Sequence, residues 1–236
     1  MLGLDAPTIA RAVEPAQFVN IKVNHLPVPL LRRPFSVYRI EGETIEILFH
    51  VVGAGTELLA GVREGDMLDV LGPLGHPYGL DDAFDTAILV GGGLGVAPFP
   101  LTSEALEQRG KRIVTLLGAR SASQLITGHL RALSCATDDG SAGFRGNVVD
   151  LLREVVRRDP PVRPKIFACG PNVMLAALQK AAAELAIPCE VSLESVMACG
   201  IGLCQGCPVE LRGEERKYAL ICKEGTVFDA QRIVFA

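Results

Sequence analysis

The sequence predicts a chain of three successive parts: a small antiparallel β-barrel, a doubly wound parallel α/β sheet, and a short cysteine-rich C-terminal segment. Three observations predict it. Short β-like runs punctuated by glycine fill the stretch from Ala16 to about Leu74. Strand-like and helix-like runs then alternate from Thr86 to about Ser192. Last, four of the seven cysteines crowd between positions 199 and 222. The expected boundaries are 1–80, 81–193 and 194–236.

In the first part, Phe18–Asn24, Phe35–Ile40, Thr44–Val51 and Met67–Leu71 read as strands. Gly42, Gly53, Gly55, Gly65 and Gly72 lie between them, the punctuation of a small antiparallel barrel. Thr56 to Gly61 is expected as a single helical turn. In the second part, Thr86–Val90, Arg112–Leu117, Leu133–Thr137, Lys165–Cys169 and Cys189–Ser192 are short, apolar and strand-like. Helices are expected over Ala97–Arg109, Ser123–Ala132, Val148–Arg157 and Pro171–Leu185. Near-continuous apolar strands alternating with helices indicate a parallel sheet covered on both faces. The third part is expected to carry its cysteines on loops, and it is too small to fold without something at its centre.

Composition narrows the function. A net charge of −4 and a pI near 5.6 leave no electrostatic footprint for nucleic acid or an anionic membrane. The most apolar stretch, Ala87 to Leu101, is broken by glycines and prolines and falls short of the roughly 20 apolar residues a spanning helix needs. The start lacks the basic and apolar regions of a targeting segment. A cytoplasmic protein is expected. Seven cysteines is an odd number, which argues against a complete disulfide framework, and crowding in a reducing compartment suggests metal ligation or redox chemistry.

The crowded cysteines are Cys199, Cys204, Cys207 and, fourteen residues later, Cys222. That is the C-x4-C-x2-C…C ligand spacing of plant-type 2Fe–2S centres. Four thiolates around two irons require a loop that curls tightly. Gly200, Gly202 and Gly206 are placed to supply positive φ values and close backbone approach. Structural zinc prefers two C-x2-C knuckles, and only Cys204/Cys207 forms one.

Two further sets of residues suit nucleotide cofactors. Arg33-Pro34-Phe35-Ser36 enters a β run in the barrel part. There an arginine can pair with a phosphate, an aromatic can lie against a flavin ring, and a hydroxyl can bond near its reactive nitrogen. Gly55-Thr56 opens the helical turn whose free amides could hold a pyrophosphate. Gly91-Gly92-Gly93-Leu94-Gly95-Val96 joins a strand to a helix, where a glycine loop brings pyrophosphate onto backbone amides. It departs from G-x-G-x-x-G at Val96. The next strand ends Ala119-Arg120 and offers no acid for a ribose, so an ordinary Rossmann dehydrogenase is disfavoured and NAD and NADP stay undecided. Cys169-Gly170-Pro171 ends a later strand and opens a helix. Each set also has a plain alternative: a strand start, a tight turn, a buried structural cysteine.

Taken together, these motifs resemble the ferredoxin-reductase-like flavoproteins. More narrowly, the chain resembles the electron-transfer subunits of NAD-dependent, two-component dihydroorotate dehydrogenases. The likeness covers nearly the whole chain: residues 31–36, 55–56, 91–98, 137–141, 169–171, Glu194, 197–207 and Cys222. It implies a β-barrel FAD domain, an α/β doubly wound parallel-sheet NAD domain, and a small C-terminal plant-type 2Fe–2S cluster domain. It further implies FAD contacts from Arg33, Pro34, Phe35, Ser36, Leu48, Phe49, His50, Gly55 and Thr56. Gly92, Gly93, Gly95, Cys169, Gly170 and Pro171 would serve the nicotinamide nucleotide, a transient co-substrate. Cys199, Cys204, Cys207 and Cys222 would be the cluster ligands, and no residue of this chain would be catalytic.

The implied partner is an FMN-containing catalytic subunit that oxidises dihydroorotate, two copies of each chain assembling together. Electrons would leave that FMN through 2Fe–2S and FAD to NAD+, in pyrimidine biosynthesis. Two departures stand out. His50 occupies a position where the family usually shows arginine, and the family usually has a barrel strand ahead of the stretch matching Leu2–Pro7. An alternative keeps the cofactors and changes the partner: the small subunit of an NADH-dependent ferredoxin:NADP+ oxidoreductase, or a hydrogenase or sulfide-reductase flavoprotein subunit. A zinc-stabilised interaction module is the non-enzymatic alternative.

Overall fold

A computed structural model describes residues 1–24, 28–213 and 216–235. In chain order the barrel part holds β1 (Leu2–Asp5), α1 (Pro7–Ala10), β2 (Phe18–Lys22), β3 (Arg33–Glu41), β4 (Thr44–Ile47), α2 (Ala54–Ala60) and β5 (Asp69–Leu74). The strands form one antiparallel sheet in the order β1-β4-β3-β2-β5, a half-barrel with β1 and β5 at its edges. Side chains alternate across a strand. Val19, Ile21, Phe35, Val37, Ile45 and Ile47 therefore point inward and form the half-barrel's core. The opposite face of β3 turns toward the α/β part, where the Tyr38 hydroxyl donates to the Gly128 carbonyl at 2.7 Å.

The α/β part contains β6 (Thr86–Gly92), α3 (Phe99–Gln108), β7 (Arg112–Ala119), β8 (Leu133–Thr137), β9 (Phe144–Arg145), α4 (Val148–Arg158), β10 (Pro164–Cys169), α5 (Asn172–Glu184) and β11 (Cys189–Ser192). Every residue of β6 is buried, as a central parallel strand covered on both faces must be. Asn147 starts α4 by accepting from the Val149 and Asp150 amides, both at 3.0 Å. Buried Leu151 and Leu152 then face the sheet. The expected helix over Ser123–Ala132 is absent. A single 3₁₀ turn at Ala122–Gln124 gives way to irregular chain in which His129 and Ala132 take positive φ. Serines 121 and 123 bond each other, and Gly128 lends its carbonyl to Tyr38, so side chains and tertiary contacts capture the polar groups a helix would use.

The C-terminal part is more structured than its loop-like sequence suggests. It holds β12 (Pro208–Glu210), β13 (Tyr218–Leu220), α6 (Ile221–Glu224) and β14 (Val227–Asp229). β12 and β13 form a hairpin, whereas β14 runs antiparallel to β11 at the edge of the large sheet. That sheet has the order β14-β11-β10-β6-β7-β8-β9. One apolar core joins Phe18 of the half-barrel, Ile88, Val90 and Ile166 of the parallel sheet, and Cys207, Ile221 and Cys222 of the C-terminal part. The three parts also bond directly, Thr226 Oγ1 to the Ala16 carbonyl and the Tyr78 hydroxyl to the Ala168 carbonyl, both at 2.9 Å.

Candidate functional site

The cluster loop is built by its own backbone. The amides of Ile201 and Cys204 lie 3.5 and 3.4 Å from Cys199 Sγ, Gly202 N donates to Cys222 Sγ at 3.1 Å, and Cys222 N lies 3.4 Å from Cys207 Sγ. Donors aimed at sulfur favour thiolate. The bonds from Cys204 and Ile201 pull the Cys199 thiol down to about 6, while burial pushes Cys222 up to about 12. Gly200 and Gly202 stand in the left-handed region at φ +73° and +81°. Gly206 does not. Gln205, at φ +59°, makes the third left-handed turn instead. Cys207 and Cys222 are buried, Cys199 is half-buried and Cys204 is exposed. A mononuclear zinc site needs four ligands in one tetrahedron, whereas a two-iron cluster takes two thiolates at each iron. The glycine-cradled, amide-lined thiolates fit the cluster.

β3 carries Arg33, Pro34, Phe35 and Ser36 into the middle of the half-barrel sheet. The Arg33 guanidinium lies against the first turn of α2, so close that a side-chain carbon on Gly55 would sit 2.8 Å from Arg33 Nε. No side chain caps α2, and the Thr56 hydroxyl instead accepts from Val52 N at 2.9 Å and Gly53 N at 3.2 Å. An arginine over an uncapped helix start is a cradle for a diphosphate. The Phe35 ring, part of the half-barrel core, sits 5.6 Å from that of Phe49. Ser36 and Leu48 are half-buried, and His50 is exposed beyond the end of β4. Arg33, Gly55 and Thr56 thus come together at the start of α2, and their chemistry fits the diphosphate of FAD.

In the parallel sheet β6 is flanked by β7 on one side and β10 on the other. The reversal between β6 and β10 is a topological switch point, where ligands of such sheets bind. Both nucleotide motifs meet there. Side-chain carbons added to Gly95 and Gly92 would sit 2.3 Å from the Cys169 carbonyl oxygen and 3.1 Å from the Pro171 ring. Asp138 and Asp139, within the 137–141 stretch that carries the family likeness, follow β8 directly. Their amides donate to the carbonyls of Ala119 and Arg120 at 3.1 and 3.2 Å, so β8 delivers two acids to the end of β7, where the sequence has none. The exposed Arg120 shares that position.

Cys169 is fully enclosed, and burial holds its thiol far above the usual range. Its sulfur lies 4.0 Å from a carboxylate oxygen of Glu194. Glu194 is an exposed residue overall, yet desolvation at its carboxyl end raises it from the ordinary carboxylate value. Asn20 on β2 is a residue that motif reading misses. It is completely buried, and its Nδ2 donates to the Cys199 carbonyl at 3.3 Å across 179 positions of sequence. The available signal is one amide inside the otherwise apolar run Phe18-Val19-Asn20-Ile21.

The geometry agrees with comparisons to known proteins. A family model described as the iron–sulfur cluster binding domain of dihydroorotate dehydrogenase B matches residues 194–234. A dihydroorotate dehydrogenase B (NAD(+)) electron transfer subunit from Geobacillus thermodenitrificans (strain NG80-2) is 40% identical over 99% of this chain and 91% of the relative. The protein of the same name from Enterococcus faecalis (strain ATCC 700802 / V583) is 36% identical over 99% and 91%. Among solved structures, an NADH-dependent reduced ferredoxin-NADP oxidoreductase matches with a TM-score of 0.86, 28% identity, and coverage of 99% of this chain and 84% of that one. Phthalate dioxygenase reductase shares the fold, with a TM-score of 0.58 at 16% identity over 89% and 84%.

Proposed function

Because the chain belongs to the family of dihydroorotate dehydrogenase B (NAD(+)) electron transfer subunits, we propose that it carries electrons from the FMN of a dihydroorotate-oxidising partner subunit to NAD+. A flavin exchanges hydride with a nicotinamide and single electrons with an iron–sulfur cluster, which is the chemistry FAD supplies between them. The observation that carries the proposal is contiguity. Gly95 packs on Cys169, Cys169 meets Glu194, and the Cys199 loop is bonded to Asn20, which pairs with Pro34.

In this proposal Arg33 and the start of α2, with Gly55 and Thr56, hold the diphosphate of FAD. Pro34, Phe35, Ser36, Leu48, Phe49 and His50 enclose the rest of that cofactor. Gly92, Gly93, Gly95, Cys169, Gly170 and Pro171 seat the nicotinamide nucleotide, while Cys199, Cys204, Cys207 and Cys222 hold the cluster. Asp138 and Asp139 favour a ribose diol over a 2′-phosphate at the end of β7. Equal affinity for NADH and NADPH would overturn that preference. The division into parts 1–80, 81–193 and 194–236 follows the three cofactors, with β14 lent to the parallel sheet.

Exposed Ile201 and Leu203 on the cluster loop, with half-buried Ala198 beside them, supply an apolar contact for the partner, two copies of each chain assembling together. No helix among the described residues is long and apolar enough to cross a membrane. All seven cysteines are free, which suits a place in the cytoplasm. A second reading is favoured by the 0.86 TM-score: a small subunit of an NADH-dependent ferredoxin:NADP+ oxidoreductase. The co-purifying partner separates the two, an orotate-forming protein supporting the first and a larger flavoprotein with further clusters the second.

The direct test is anaerobic purification with iron, sulfide, zinc and flavin assayed on one sample. About two irons, two sulfides and one FAD per chain are expected from the ligand set. Zinc with no flavin would overturn the proposal. The isolated chain should reduce artificial acceptors with NADH and form no orotate, and orotate formation without the partner would refute the division of labour.

A further inference from the structure

We propose that Asn20 is a positioning residue for electron transfer: its amide clamps the Cys199 peptide to the flavin-binding sheet and sets the placement of the cluster loop relative to the flavin. The inference rests on the reading of this chain as an FAD- and cluster-bearing electron carrier. Three observations lead to it. Asn20 lies directly opposite Pro34 in the β2–β3 pairing, so its side chain and the Arg33–Ser36 segment share one piece of sheet. Its Nδ2 donates to the carbonyl of Cys199, a cluster ligand, at 3.3 Å. Residue 200 is shaped to Asn20, since any side chain there would bring a carbon to 2.4 Å from Asn20 Nδ2.

Stability alone does not account for this amide. Val19 and Ile21, its neighbours on β2, are as completely buried as Asn20 and wholly apolar. Asn20 Oδ1 is buried without a hydrogen-bond partner, a state that costs folding free energy. An apolar residue would suit the strand better. The amide acts where packing cannot, because it fixes one carbonyl in a defined direction. From that carbonyl the loop turns through left-handed Gly200 and presents the Ile201 and Cys204 amides to Cys199 Sγ. The strand is held from its other side, where Arg32 Nη1 donates to the Asn20 carbonyl at 3.3 Å and to the Asp69 carbonyl at 2.8 Å. A bond just outside a metal's ligands orients them and tunes their electronics.

The test uses the holoprotein with Asn20→Leu, similar in size but without the amide, and Asn20→Asp, which keeps the shape and replaces the donor. After rapid mixing with NADH, flavin reduction and the later one-electron reduction of the cluster are followed separately, and the reduced cluster is examined by electron paramagnetic resonance. In both variants the flavin is expected to be reduced at close to the parental rate. Cluster reduction is expected to slow by about tenfold or more, the usual scale for losing a partner just outside metal ligands, with shifted g-values. Asn20→Asp answers the question if Asn20→Leu fails to fold. Parental g-values and parental cluster reduction in a folded, loaded variant would overturn the proposal. So would variants that bind FAD but cannot retain iron, because Asn20 would then serve retention and not placement. If the unaltered protein shows no flavin reduction by NADH, the electron-carrier reading itself fails.

Discussion

Glu194 shows what a single side chain's surroundings do. Desolvation beside the buried Cys169 sulfur raises its carboxyl above the ordinary value, so the folded chain binds a proton there that the unfolded chain has already released. Such a group stabilises the fold fully below the unfolded value, near pH 4.3. The contribution is lost as pH rises through the folded value. Glu194→Gln, which cannot titrate, should therefore gain in Tm relative to the parent chain as pH is raised from about 4 to 7. A Tm difference that does not change with pH would refute this. The cluster cysteines differ in the same physical sense, Cys199 held toward thiolate by backbone donors and Cys222 toward thiol by burial. Their C-x4-C-x2-C…C spacing was legible from the sequence alone. Which of them the backbone prepares was not, because it depends on where the amides of residues 201, 202 and 204 point.

Elements meet most tightly where the turn after β6 lies on the turn after β10. A side-chain carbon on Gly95 would sit 2.3 Å from the Cys169 carbonyl oxygen, 2.5 Å from its carbonyl carbon and 2.6 Å from Gly170 Cα. All three are backbone atoms, which cannot swing aside. Gly95→Ala should lower unfolding stability by about 1–3 kcal/mol, the range for overpacking, and should weaken NADH binding by spreading the switch point. A parental urea melt together with parental NADH affinity would show that the two turns can separate freely. The strand–helix alternation was readable because apolar runs and breakers carry it. The error at Ser123–Ala132 has a specific source: a run with helix-like composition lies among serines that bond each other and a glycine whose carbonyl serves Tyr38.

At the scale of the whole molecule the C-terminal part is no detachable module. It lends β14 to the parallel sheet and contributes Cys207, Ile221 and Cys222 to a core shared with Phe18 and Ile88. Chelating the iron should therefore raise amide hydrogen exchange across residues 198–224 and leave β6 and β10 protected, since the sheet does not depend on the cluster loop. Exchange spreading through both central strands would mean that the cluster holds the entire fold together. By itself the sequence determined the order of the three parts, the spacing of the four crowded cysteines and the glycine-rich turns, because each is a local pattern of residue type and spacing. Only the tertiary structure decided that Asn20 reaches Cys199, that β8 carries Asp138 and Asp139 to the end of β7, and that Gly95 abuts Cys169. Those contacts join residues far apart in the chain, and strand order and register, which no local pattern encodes, bring them together.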